Sequence, residues 1–270
     1  MPLSPRPPRR LLSHALGATL IAVIAATAFA APASAATSAS TAEAYIIGWV
    51  NTARANAGLR PLRADRDLAY IAGVRASRMA SNNTLSHTVG GNLVTQLSNN
   101  GVQWYRYGET IAYSGAAWTV DAARAIYRSW MGSSAHRALL MSSRFNYIGV
   151  GLAYRSSNGR TFGSAVMTES LDHTGAIARI TGARRSGDDV SWTWSGYDPR
   201  LQTHTAGFRD FDVQYRVGSG DWRTIRNDTT ATSLTLRDRT RGRYYAIRVR
   251  GTDRRGNVGR WTAQSRLWVP

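Results

Sequence analysis

The chain has 270 residues with 34 basic and 16 acidic side chains, every basic one arginine, for a formal net charge of +18, and it contains no cysteine. Disulfide staples, thiolate metal sites and cysteine nucleophiles are thereby excluded, so stability has to come from ordinary packed cores. The length suits one large domain or two ordinary ones.

Arg6, Arg9 and Arg10 precede the apolar run LLSHALGATLIAVIAATAFA, and Ala33-Ser34-Ala35 follows it. A basic head, an apolar middle and small residues at the exit describe a secretory signal peptide over 1–35, cut after Ala35. The alternative is an uncleaved anchor, since the run is long enough to cross a bilayer. The expectation is a secreted, extracellular chain, associated with the cell wall in one reading, with no stable membrane anchor after cleavage. The remaining +15 is spread over both halves, with 13 Arg and 6 acids in 36–170 and 18 Arg and 10 acids in 171–270. Such a surface attracts anionic cell-envelope polymers or lipid headgroups. The plainer reading is an arginine-rich soluble surface. No aromatic-basic nucleic-acid module is visible, so nucleic acid is not an expected partner.

Residues 40–141 read mostly as helices. Ser40-Thr41-Ala42-Glu43 has capping-box spacing, and Ile46, Val50, Ala53 and Ala57 mark a helical face that Gly58 ends. Leu68, Ile71, Ala72, Arg75, Ala76, Met79 and Ala80 form a longer stripe; Arg75 stands out on it, its stem placed along the core edge. A short helix is expected over Leu93–Asn99. Another starts from a Thr119 cap with Asp121 in its first turn and buries Val120, Ala123, Tyr127, Trp130 and Met131. Residues 146–168 read as a hairpin turning at Asn158-Gly159. On its first strand Ile148, Val150 and Leu152 share one side, and Gly149 and Gly151 keep the other low enough for a helix or ligand to approach. Helices with a late antiparallel sheet point to an α+β layered fold. Beyond about residue 172, alternating runs around Val190/Trp192/Trp194, Phe211/Val213/Tyr215 and Tyr245/Ile247/Val249 predict an all-β sandwich.

NNTLSHT (82–88), YGETIAY (107–113) and WMGSSAHRALLMSSRFNYIGVGLA (130–153) occur in order, after NTARANAGLRPLRADRDLAYIAGVRASRMA. With these motifs the first half resembles the CAP superfamily of cysteine-rich secretory proteins, antigen 5 and pathogenesis-related proteins, in its cysteine-free bacterial branch. The resemblance implies a three-layer α-β-α sandwich over 36–171 with a central cavity faced by His87, Glu109 and His136. Eukaryotic members add a second glutamate shortly before the last histidine; here Ser133 stands about there. Residues 172–270 resemble a fibronectin type III-like module. VSWTWSGYD reads as its second strand, FDVQYR as its third, YYAIRVRGTDRRGNVGRW as its last two, and Tyr245 takes the tyrosine-corner position. Trp192, Trp194 and Trp222 are expected in its core.

Two imidazoles and a carboxylate suit zinc or another divalent metal, with His87, Glu109 and His136 as ligands and an open fourth position. The plainer reading is a cluster that satisfies loop backbone groups. No serine looks activated, which argues against turnover; the family resemblance implies extracellular binding of a lipid or sterol, or of a divalent metal at the cavity. One alternative is a metal-dependent extracellular hydrolase or peptidase acting through a metal-bound water. Another is a cell-wall adhesion protein on a passive CAP scaffold. His173 and His204 are read as solvated loop residues, and Arg137 as a surface charge.

Overall fold

A computed structural model describes residues 38–116 and 120–270. The signal-peptide expectation and the Thr119 cap lie outside the described residues.

The first half is built from α1 (Ala39–Asn56), β1 (Arg63–Ala64), α2 (Arg66–Asn82), α3 (Leu93–Asn99), β2 (Arg106–Ser114), α4 (Val120–Gly132), α5 (Ser134–Leu140), β3 (Tyr147–Arg155) and β4 (Arg160–Glu169). The sheet order is β1-β3-β4-β2, with β1 parallel to β3 and the other pairs antiparallel. One face carries α2; the other carries α1 and α4, so the α+β fold is a three-layer sandwich. Strand alternation makes two cores. Ile148, Val150 and Leu152 pack with Ile46, Val50, Ile126 and Trp130, whereas Tyr147 and Val166 pack with Leu68 and Ile71.

Local chemistry sets the helix ends. Helix α1 starts two residues before the expected capping box: Ser38 Oγ accepts from the Thr41 amide at 3.3 Å. Glu43 does not close that box; it accepts from the Leu152 amide across the layer at 3.0 Å. The buried face of α1 is completed by Arg54 rather than by Ala53 and Ala57. Asp65 caps α2 through the amides of Asp67 and Leu68, and all seven stripe residues of α2, Arg75 included, are buried. In α4 the buried face is Ala122, Ala123, Ile126 and Trp130, with Val120, Tyr127 and Met131 half-buried. Strand β2, which carries Glu109, was not anticipated; its edge position and polar ends obscure the alternation.

Gly149 and Gly151 allow α2 to lie directly on β3. A Cβ on Gly149 would sit 2.0 Å from the Ala69 nitrogen, and one on Gly151 would sit 2.1 Å from the Gly73 nitrogen. The obstacle is helix backbone, which cannot swing aside.

The second half contains β5 (Ile177–Ser186), β6 (Asp189–Tyr197), β7 (Phe208–Val217), β8 (Arg223–Thr229), β9 (Ser233–Leu236), β10 (Arg243–Asp253) and β11 (Ser265–Val269). They form a sandwich of two sheets, β5-β6-β9 and β11-β10-β7-β8. Val190, Trp192, Trp194, Val213, Tyr245, Ile247 and Val249 fill it. The Tyr245 hydroxyl donates to Thr240 O at 3.2 Å, five residues upstream, which closes a tyrosine corner. Two expectations are corrected. The last strand is Ser265–Val269, because RGNVGRW is held as a loop with one isolated bridge, Thr252 to Val258. Trp222 is outside the core, half-buried between two arginines.

The halves meet through a shared set of contacts. Leu201, from the loop between β6 and β7, is buried with Leu68, Ile71 and Tyr147 of the first half. Arg63 Nη1 donates to Asp172 at 2.9 Å, the Arg60 amide to Gln202 at 2.9 Å, and the Thr203 amide to Asn146 at 3.0 Å. His173 and His204 are not merely solvated. His173 stacks on Tyr147 and pairs with Asp65 at 2.7 Å; His204 stacks on Tyr105 and pairs with Glu169 at 3.2 Å. Burial is the largest influence on His173 and pushes its pKa down, but the Asp65 and Leu171 hydrogen bonds and the charges of Asp65 and Asp172 together outweigh it and hold the pKa up.

Gly151→Ala should destabilise the protein by at least about 1–3 kcal/mol through overpacking against backbone. Gly48→Ala, on an exposed position of α1 with nothing within 4 Å of the new Cβ, should instead gain about 0.5–1 kcal/mol. Urea denaturation of both variants checks this; equal midpoints would show that β3 and α2 do not meet as described.

Candidate functional site

Glu109 lies on β2 opposite Val166 of β4 and points toward the α2 layer. Arg75, at the middle of α2, reaches it with two donors: Nε to Oε1 at 2.5 Å and Nη2 to Oε2 at 2.8 Å. Ser164 Oγ donates to Oε1 at 2.8 Å, and His87 Nδ1 meets Oε2 at 2.7 Å. The Arg75 and Glu109 side chains are 2 % and 5 % exposed, against 53 % for His87. A buried ion pair therefore stands at the base, with an exposed imidazole resting on it.

Arg75 is the functional residue that sequence reasoning misplaced. Its stem does not lie along the core edge; its head is buried. Besides Glu109, the guanidinium donates to His87 O at 2.5 Å, Gly91 O at 2.9 Å and Gln96 Oε1 at 3.2 Å. All three nitrogens are used, which a planar five-donor group can do and an ammonium cannot. The loop carrying His87 is thus hung on one side chain of α2. The usable signal was an arginine in an otherwise apolar stripe, which requires a buried partner.

His136 comes from α5, which packs against the same edge strand β2. Its Nδ1 is buried with no hydrogen-bond partner. Burial, then the charge of His87, pushes its pKa down. His87 and His136 are thus electrostatic neighbours, whereas Glu109 is committed to Arg75, Ser164 and His87. Among the described residues, the three-residue group whose ligating atoms all lie within 4.8 Å is Asp172, Asp198 and Asp253; His87, Glu109 and His136 do not close to that spacing. Ser133 is the N-cap of α5, half-buried, and its hydroxyl makes no capping bond.

A second buried arginine holds α5 in place. Arg54 Nη1 donates to Leu140 O at 2.8 Å and Ser142 O at 2.9 Å, and Nε to Arg60 O at 2.8 Å. With only carbonyls around it, burial brings its pKa down to about 10. Leu140 O belongs to the last turn of α5, where a cation is favourable. Arg75 positions His87 and Arg54 positions the helix of His136.

For a divalent metal, the donor set fits with altered roles. Glu109 has no oxygen left without a strong partner, so it orients His87 rather than ligating. A carboxylate accepting from Nδ1 leaves the His87 Nε2 lone pair outward, the arrangement that supports a metal-binding imidazole. His136, held toward its neutral form and with an unpartnered ring nitrogen, would be the second donor. The Asp172 and Asp253 carboxylates are engaged by local donors: Asp172 by Arg63, Tyr147, Thr174 and Ala206, and Asp253 by Arg255 and Asn257. They tie the junction. A cleft of about 1040 Å³ also lies at the junction, lined by residues 196–208 with Arg60, Pro61 and Arg254; neither His87 nor His136 lines it. Nearer to α5 is a groove of about 420 Å³ walled by Trp104, Tyr107, Leu139 and Phe145.

Glu109→Ala should cost about 3–5 kcal/mol, because it strands the Arg75 charge, whereas Arg75→Met/Glu109→Leu together should be close to neutral. Chemical denaturation of the single and double variants checks the pair; additive losses would contradict it. His136 predicts a pH effect. Its folded pKa lies below the ordinary 6.5, so the unfolded chain takes up the proton first. Its contribution is intact above the ordinary value and is lost as pH falls below it. Melting curves of wild type and His136→Gln between pH 7.5 and about 5 should therefore converge on acidification, with the variant less acid-sensitive; parallel curves would refute the assignment.

Residues 47–168 match the family model described as CAP, the cysteine-rich secretory protein family. The "Uncharacterized membrane protein YlbC" of Bacillus subtilis is 32 % identical over 114 residues, 42 % of this chain and 32 % of its own length. The chain thus spans about a third of that relative. An extracellular protein containing an SCP domain, from Bacillus anthracis, is 26 % identical over 48 % of this chain and 40 % of its own, with a TM-score of 0.41. For the second half, a Fn3-like protein from Clostridium thermocellum is 20 % identical over 37 % of this chain and 96 % of its own, with a TM-score of 0.26. Residues 47–168 are a CAP domain, and a fibronectin type III-like sandwich follows it in the same chain.

Proposed function

We propose that the protein is an extracellular binding protein whose CAP domain takes a divalent cation, zinc foremost, between His87 and His136. One observation carries this reading. Both oxygens of Glu109 are taken up by Arg75, Ser164 and His87, so the free polar groups of the site are imidazole nitrogens. Neutral imidazole is a good zinc ligand, and two of them with water at the remaining positions give reversible capture. A hydrolase would need a carboxylate oxygen free to take a proton from water, and both Glu109 oxygens are already engaged by Arg75, Ser164 and His87. Binding is therefore favoured over turnover. The extracellular placement rests on the signal-like segment 1–35 and on the CAP domain. Among the described residues no helix is long and apolar enough to cross a membrane. The Bacillus anthracis protein is described as extracellular, although the Bacillus subtilis relative is named a membrane protein.

A second reading places a lipid or sterol in the groove beside α5. Trp104 and Tyr107 meet edge to face there at 4.9 Å, with Leu139 and Phe145 opposite, which supports an apolar ligand.

Calorimetric titration of residues 36–270 with zinc should show one site that is lost in His87→Ala and in His136→Ala. His87→Ala leaves the Arg75–Glu109 pair in place, so its melting temperature should stay near wild type. Unchanged heats in both variants would remove the metal reading. The hydrolase alternative needs activity on a peptide or ester panel that a chelator abolishes. Loss in Glu109→Ala would not suffice, because that variant is expected to be unstable.

A further inference from the structure

On the β11-β10-β7-β8 sheet, residues directly opposite one another share a face. Register puts Ala246 opposite Arg266 and Arg216, Arg248 opposite Gln214, Arg250 opposite Asp212, and Tyr244 opposite Trp268. Val213, Tyr215, Ile247 and Val249 point the other way, into or against the core. The outer face of the four-stranded sheet thus carries Arg216, Arg248, Arg250 and Arg266 with two carboxylates, Asp212 and, toward the strand's start, Asp210, which is paired with Arg209.

Two tryptophans from flanking loops fold over this face and build a ladder. The Arg216 guanidinium lies 4.6 Å from the Trp222 ring, and Arg248 lies 4.5 Å from the same ring. Arg248 also lies 4.8 Å from Trp261, and Arg250 lies 4.6 Å from it. The order is Arg216–Trp222–Arg248–Trp261–Arg250. Only Arg250 is neutralised, by Asp212 at 2.8 Å; Arg216 and Arg248 donate to the neutral amides of Gln264 and Gln214. Elsewhere in the sandwich arginines sit against acids, as in Arg241–Asp188 and Arg209–Asp210. Here three like charges are held together by indoles. Burial, followed by Arg216 and Arg250, pushes the Arg248 pKa down. An anion laid along the ladder would relieve that repulsion.

The ladder also narrows the partner. Each indole has two guanidiniums against its ring, so part of the ring surface that could stack on a sugar or a nucleobase, the contact that single-stranded nucleic acid sites use, is already taken. What remains outward is a row of fixed positive charge with N–H donors at its edges. Guanidinium groups suit phosphate oxygens in that arrangement. We propose that the outer face of this sheet, centred on the Arg216–Trp222–Arg248–Trp261–Arg250 ladder, is a docking site for a flexible phosphate-bearing polymer of the cell envelope. The site is independent of the histidine pair and would tether the CAP domain to an anionic wall.

The test uses residues 36–270 and linear inorganic polyphosphate as probe, followed by indole fluorescence at about 0.15 M salt. Binding should weaken at least about tenfold in Arg216→Gln/Arg248→Gln, with a reduced slope against salt. The control is Arg184→Gln/Arg185→Gln, which removes the same charge from exposed positions on β5; it should change affinity less than about twofold. Asp212→Asn keeps the ladder and removes the carboxylate that neutralises Arg250, so it should tighten binding. This keeps the proposal testable if the ladder variant misfolds by circular dichroism. Equal losses in the ladder and control variants, no tightening in Asp212→Asn, or no binding at all would each overturn the proposal. So would single-stranded DNA of matched charge binding more tightly than polyphosphate in a ladder-dependent way.

Discussion

The ion pair between Arg75 and Glu109 is the constraint on which the first half depends. Two charges are taken out of water between a helix and a sheet, which is tolerable only because nearly every donor and acceptor of the pair is used. The same guanidinium holds the backbone of the 87–91 loop, so the pair fixes both the strand carrying Glu109 and the loop carrying His87. An apolar replacement of both partners could be as stable. It would leave His87 without an orienting carboxylate, and that difference separates the pair's contribution to the site from its contribution to the fold.

Arginine repeatedly does structural work in this chain. Arg54 gathers three carbonyls and anchors α5; Arg75 gathers a carboxylate, two carbonyls and an amide; Arg63 bridges Asp172 and Asp198 at the junction. Each uses several directional donors around one planar head, which a lysine would not reproduce. The composition, all arginine and no lysine, therefore has consequences beyond net charge. The ladder on the second sheet is the surface version of the same chemistry, with indoles in place of carboxylates.

The two modules divide their roles along these lines. The CAP domain presents two imidazoles over a neutralised base, the arrangement on which the proposed binding role rests. The sandwich presents a basic face built from Arg216, Arg248, Arg250 and Arg266. Their junction is polar and interlocked, through Leu201, Arg63, His173 and Asn257. It is not a bare linker, so the second half is part of the first half's support.

How much of this was legible in the sequence follows from range. Helix α2, helix α3 and the hairpin could be read because their signals are local: an apolar stripe, turn residues, alternation; the tyrosine corner followed from the fibronectin type III-like resemblance. Gly149 and Gly151 were readable as a low surface because glycine has one physical consequence there. The stretches NNTLSHT, YGETIAY and WMGSSAHRALLMSSRFNYIGVGLA pointed to His87, Glu109 and His136 through the family they resemble. What those residues do was decided by side chains distant in sequence. Arg75 takes the Glu109 charge from 34 residues away, and Arg54 seats α5 from 86 residues away. Trp222 and Trp261 stack on arginines of other strands instead of entering the core. Periodicity states which face a residue occupies, but a buried charge is defined by its partner, and the partner is chosen only when the layers close.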